Sequence, residues 1–360
     1  MQIITPTTCR EGRTVRIYSE PQWVRAEGAS WLPLADAVKV SRDGAGYLVA
    51  MDRDRWVKIL PAGLNDASAL VASTQRDVQT DRHFGPVLNA ATAPHDLRFR
   101  VICGPACQWN GAGYVFADVE GAPGLYLRQW EALLGQSLAH DTRTGEIALD
   151  LREVKAAAAN GEIDLDPEIA ATSGYRYYDA DSTWSAVRNA ASGLVSAIVY
   201  VAVANSGDTT YTIRRASVRF DTLGYNAASA TLRLTEYSPG TADPYALVAD
   251  LANPAQNASY GQVKTTGLDV PGNLIGLMTE SPTGVWSTGD LVASGHYAQD
   301  ATFDLAITTY QDYSNTAPTT GLSQSHSFVA SGEDGPCLEL TLVPSAAHFY
   351  ANQTHCGHKP

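Results

Sequence analysis

The chain has 360 residues, 44% hydrophobic and 18% charged, which excludes a disordered protein and leaves room for two ordinary hydrophobic cores. Its 38 acidic and 25 basic side chains give a net charge of −13 with no Lys/Arg-rich block, so neither nucleic acid nor membrane is an expected partner. No apolar stretch approaches the roughly 18 to 20 residues of a membrane span, and the opening MQIITPTTCREGRTV has neither the basic start nor the apolar centre of a signal peptide.

From Val15 to Leu60 the pattern is mostly strand: TVRIY, WVRA, AVKVSRDGAGYLVAMD and RWVKIL are alternating or β-branched runs punctuated by Pro, Gly and Asp. Asp43-Gly44-Ala45-Gly46-Tyr47 lies between two such runs and predicts a hairpin turn, as does its near copy Asn110-Gly111-Ala112-Gly113-Tyr114. Neither is a dinucleotide fingerprint, because Val49 and Phe116 occupy the third glycine position and no helical pattern follows. LRFRVIC then returns to strand. Five cysteines are too dilute for a disulfide scaffold. Cys103 and Cys107, around a Gly104-Pro105 turn, leave three readings open: free or buried thiols, a local disulfide, or half of a metal site.

Leu127, Trp130, Leu133 and Leu134 are spaced for one face of a short helix. Asp150 and Glu153 suit a capping box for an Ala-rich helix over Val154 to Ala159, closed by Asn160-Gly161 and expected on a surface or between domains. The acidic, Pro-containing stretch Glu162 to Ala171 reads as a connector. Beyond it, short β runs recur between Gly, Pro and Asn. The expected fold class is mainly β: a β-rich (α+β) anchoring domain over 1–122, a helical connector over 123–170, an antiparallel β-sandwich of jelly-roll type over 171–345, and a tail over 346–360.

The run Tyr211 to Glu236 is the most informative part of this second half. Alternation through Asp221, a polar connection, and a second alternation in which Ala230, Leu232 and Leu234 share a face describe two strands, each with one buried side. Arg215 with Val218, Arg219, Phe220 and Asp221, then Ser229, Ala230, Thr231, Leu232 and Leu234, and near the end Gly335, Pro336, Leu338, Leu340 and Leu342, resemble the strands of the DNRLRE family. These are β-sandwich domains of surface and virion-associated proteins, related in fold to carbohydrate-binding modules. The resemblance covers the C-terminal half and implies a fold more than a function. Arg215, Arg219, Phe220 and Asp221 are expected to be framework, with Arg219 and Asp221 hydrogen-bonded as a pair.

Catalytic signatures are missing: there is no G-x-S-x-G, H-E-x-x-H, G-x-x-x-x-G-K or paired C-x-x-C motif. Asp179 and Asp181, in YYDADST, are either solvated turn residues or ligands of a structural calcium. Trp184, Trp286 and Tyr313 sit in loop-like phrases where an exposed platform would stack a sugar ring. Phe349 and Tyr350 are candidate apolar anchors through which the tail docks on a neighbouring subunit. The expectation is a non-enzymatic virion protein, a bacteriophage fibre, appendage or capsid-decorating subunit. It would be made in the host cytoplasm, carried on the virion surface, self-associated or held by other virion proteins, and directed at a host-surface glycan. The alternative is a glycan-binding module of a bacterial surface protein.

Overall fold

Strand-forming runs dominate the sequence, and the chain is mainly β in the computed structural model. It describes residues 1–44, 46–62, 74–79, 84–111, 113–127, 130, 138–157, 161–165, 175–181, 183–196, 199–207, 210–252, 258–299, 302–329 and 334–344. Among them, no helix is long and apolar enough to cross a membrane. Two large hydrophobic cores organise the strands. One gathers buried side chains from Val24 to Leu165. The other joins Val15 and Ile17 to side chains from Val199 to Leu340.

Around the first core lie small antiparallel sheets. The largest runs Ala139–Asp141, Glu146–Asp150, Asp96–Cys103, Trp56–Pro61, Gly46–Ala50 and Lys39–Asp43. Both Gly-rich phrases are hairpins, with Asp43 opposite Gly46 and Trp109 opposite Tyr114. Gly44 and Gly111 take positive φ values of 61° and 99° there, the left-handed conformation that glycine adopts without penalty. Asp150 Oδ1 accepts from the Arg152 N–H at 3.1 Å, a turn just ahead of the Arg152–Ala157 helix and not the capping box expected, because Leu151 holds the N-cap position. Val154 packs this helix onto the core, so it is not a free spacer. Most of the helix expected over 127–134 lies outside the described residues, but Trp130 is buried with its ring 4.9 Å from Phe99.

The second core draws on two runs of antiparallel strands. Thr14–Tyr18, Cys337–Leu342, Ala227–Ser238 and Val285–Ser287 form one. Ser323–Phe328, Val199–Gly207, Thr210–Phe220, Phe303–Thr309, Pro244–Val248 and Leu274–Leu277 form the other. Ala230, Leu232 and Leu338 of the first run and Val218, Phe220 and Leu305 of the second belong to this one buried cluster. The end of Ala227–Ser238 crosses over, pairing Glu236 with Phe328, and so links the runs into one 15-stranded network.

Three expectations change. Thr14–Tyr18 is not part of the N-terminal unit: it pairs with Cys337–Leu342, placing Val15 opposite Leu340 and Ile17 opposite Leu338. The residues of the first core therefore lie, in sequence, between Thr14–Tyr18 and the other strands of the second core. Glu162–Asp164 does not begin a connector but adds a strand to Phe84–Asn89, because Ile163 and Leu165 alternate into the first core. Thr210–Phe220 is covered on both sides: Ala216, Val218 and Phe220 face the shared core, while Arg215 reaches the Trp184–Asn189 helix and Tyr260. The boundary residues 166–174 and the tail, with Phe349 and Tyr350, lie outside the described residues.

A protein truncated to begin near Asp164 removes Val15 and Ile17 from the second core and bares the edge of Cys337–Leu342. At about 1.5 to 3 kcal/mol per buried side chain, the loss is about 3 to 6 kcal/mol. Aggregation or a poorly cooperative melt is expected, with recovery when a peptide spanning residues 1–20 is supplied. Cooperative melting without the peptide would contradict this topology.

Candidate functional site

Arg215 and Asp312 are both 0% exposed, and each is satisfied by the other. Arg215 Nε and Nη2 donate to the two Asp312 oxygens at 2.7 and 2.9 Å, a bidentate pair. Its Nη1 donates to the Tyr260 carbonyl at 2.9 Å and its Nη2 also to the Arg188 carbonyl at 3.1 Å, while the guanidinium lies 4.3 Å from the centre of the Tyr260 ring. Asp312 also accepts from the Thr308 hydroxyl at 2.6 Å. Arg188 closes the cluster, donating to the Asp312 carbonyl at 3.0 Å. Burial opposes ionisation of Asp312, but the charge and hydrogen bonds of Arg215 prevail and hold its carboxyl below the usual range.

Asp312 belongs to the short helix Tyr310–Ser314, which ends at Asn315 in the left-handed conformation, φ 54°. Residues three apart on a helix share a face, so the inward Asp312 leaves Tyr310 and Tyr313 together on the outside, 47% and 38% exposed. Both reach Tyr245 on Pro244–Val248. Tyr313 stacks on it at 5.3 Å and 15° between planes, and Tyr310 meets it at 5.9 Å and 46°. Burial, then Asp243 and the two neighbouring tyrosines, push the Tyr245 phenol up. Leu277, opposite Tyr245 on the next strand and 52% exposed, extends the apolar surface. Gln311, between the two rings in sequence, donates to Gln324 Oε1 at 2.6 Å.

Of the predicted sugar-stacking residues, Tyr313 is at this platform. Trp184 is tied to the same turn, its indole N–H donating to Asn315 Oδ1 at 3.2 Å, with its ring 5.8 Å from Tyr211. Trp286 belongs to another cluster, half-buried on the second core with its ring edge-on to His326 at 4.8 Å. Tyr245 and Asp312 were missed by sequence reasoning. The spacing Tyr310-x-Asp-Tyr313 was the available signal, since it fits a helical turn with two outward rings.

Phe220 is core and Arg215 is buried framework, but Arg219 does not pair with Asp221. Its fork grips Asp304, with Nε and Nη2 at 2.6 Å from the two oxygens. Asp304 stands directly across the ladder from Arg219, which makes it the near partner in an antiparallel sheet. Asp221 instead accepts from the Leu223 N–H at 3.0 Å, shaping the turn after the strand. Asp179 and Asp181 lie in the strand Tyr175–Asp181, opposite Ile213 and Tyr211, where a loop was expected. No group of three or more His, Cys, Asp or Glu arranged to hold a metal occurs among the described residues.

Asp312→Asn leaves Arg215 buried without its counter-charge and is expected to destabilise the fold around it by about 3 to 5 kcal/mol in chemical denaturation. A second expectation concerns His326, which is buried beside Phe328, with Nε2 3.1 Å from Glu236 Oε1. Burial lowers its pKa below 6.5, against the opposing pull of Glu236 and Glu280. The unfolded chain then takes up the proton first, so this contribution is whole above about pH 6.5 and is lost as pH falls towards the folded value. Melts between pH 8 and 5 should show that decline, and His326→Gln should flatten it.

No protein-family model matches this chain, and no curated protein matches it either.

Proposed function

We propose that this chain is a non-enzymatic attachment protein of a virus particle, a bacteriophage fibre, appendage or decoration subunit, and that its β body presents the Tyr245, Tyr310 and Tyr313 platform to a host-surface glycan. The observation that carries the reading is the platform itself. Solvent-facing tyrosine rings on a turn anchored by a buried ion pair offer a sugar ring a stacking surface with little motion left to freeze on binding. The phenol hydroxyls supply hydrogen-bonding groups beside the rings. A binding role is favoured over hydrolysis because the carboxylate in the platform's own turn, Asp312, is committed to Arg215 and Thr308. The particle setting comes from the resemblance to virion surface modules.

A glycan array followed by calorimetry tests the binding. At least one oligosaccharide should bind the whole protein, about tenfold more weakly after Tyr313→Ala, a loss of about 1.4 kcal/mol. The Trp286→Phe protein should bind as the parent does. Immunogold labelling of particles tests the setting. A blank array, or binding insensitive to Tyr313 and Tyr310, would overturn the glycan reading.

A further inference from the structure

Outside the platform, the N-terminal core holds a pair of thiols at one turn. Cys103 ends the strand Asp96–Cys103 and Cys107 begins Cys107–Trp109. The turn between them is pinned to neighbouring backbone: the Gly104 N–H donates to the Trp56 carbonyl at 2.8 Å, Ala106 to Asp54 at 3.1 Å, and Cys107 back to Gly104 at 3.2 Å. A side chain at position 104 would meet the Asp54 carbonyl at 2.4 Å, so this close course needs glycine. It brings the Cys103 sulfur to 3.8 Å from the Cys107 carbonyl oxygen. Both residues are half-buried, within reach of a small reagent, whereas Cys9 and Cys337 are enclosed.

We propose that Cys103 and Cys107 are a thiol–disulfide modification site whose co-reactant is a low-molecular-weight disulfide such as oxidised glutathione. The pair closes to an intrachain bridge that locks this turn. In the first step a cysteine thiolate attacks the small disulfide, forming a protein–glutathione mixed disulfide and releasing one glutathione thiolate. In the second, the other cysteine loses its proton and attacks the protein sulfur of the mixed disulfide, expelling the second glutathione. The protein gives up two electrons and two protons, and one oxidised glutathione becomes two reduced molecules. Burial, reinforced by Cys103, pushes the Cys107 thiol up, so it rests protonated and closure is slow at neutral pH and faster in alkali. The neighbouring Trp109 ring, 5.2 Å from Tyr114 and 4.5 Å from His140, provides an optical reporter. This site is independent of the platform.

The test incubates the full chain with excess oxidised glutathione at pH 8 and follows intact mass, peptide maps and tryptophan fluorescence. The expected product has lost two hydrogens, carries a Cys103–Cys107 cross-linked peptide, and reverts with dithiothreitol. Cys107→Ser should stop at a stable mixed disulfide on Cys103. Accumulation of mixed disulfides in the parent protein without closure would overturn the proposal, as would both thiols remaining open to alkylation after prolonged incubation.

Discussion

The ion pair between Arg215 and Asp312 governs the part of the molecule that meets solvent as a platform. Two charges removed wholly from water cost several kcal/mol each, and only a well-formed set of hydrogen bonds offsets that. Here the guanidinium bonds to both carboxylate oxygens and to two backbone carbonyls, and the carboxylate takes a further bond from Thr308. The partners come from Thr210–Phe220, Trp184–Asn189, Ser259–Gln262, and the end of Phe303–Thr309 with the turn after it. Well-packed apolar side chains of similar volume often hold a fold as well as such a pair does. What they do not supply is direction. The fork fixes where residue 312 sits, and with it where Tyr310 and Tyr313 point.

The path of the chain adds a constraint of a different kind. Thr14–Tyr18 pairs with Cys337–Leu342, and an entire hydrophobic core lies between them in sequence. The seam is tied by charge as well as by the ladder. Glu339 accepts from Arg16 at 2.9 Å and from Arg233 at 3.0 Å, and this draws its carboxyl below the usual range despite partial burial. Such half-exposed pairs contribute at most about 1 kcal/mol each. The seam therefore depends mainly on Val15 and Ile17 in the shared core. The second core cannot be completed until Thr14–Tyr18 and Cys337–Leu342 meet.

Local features were legible in the sequence. Two-residue alternation marked Thr210–Phe220 and Ala227–Ser238, and the Asp-Gly and Asn-Gly phrases marked hairpins, because each depends on neighbours within a few residues. Choice of partner across the sheet was not legible. Arg219 had Asp221 two residues away and Asp304 far along the chain, and the ladder register, invisible in one dimension, selected Asp304. For the same reason Glu162 to Leu165 read as an acidic connector: its two apolar positions signify a strand only once Phe84–Asn89 lies beside them. At the candidate site, Tyr313 was found from its loop-like surroundings. Tyr245 was not, since a tyrosine within a strand has no pattern of its own until a distant turn folds over it.

The central claim is that the buried ion pair orders the tyrosine platform. Ring dynamics of 13C-labelled tyrosines, measured by NMR relaxation in the parent protein and in an Arg215→Met/Asp312→Leu double variant that keeps the core filled, test it most directly. Tyr310 and Tyr313 should be as ordered as the surrounding backbone in the parent and markedly more mobile in the variant, with Tyr297 on the second core unchanged in both. Equal order of Tyr310 and Tyr313 in the two folded proteins would contradict the account.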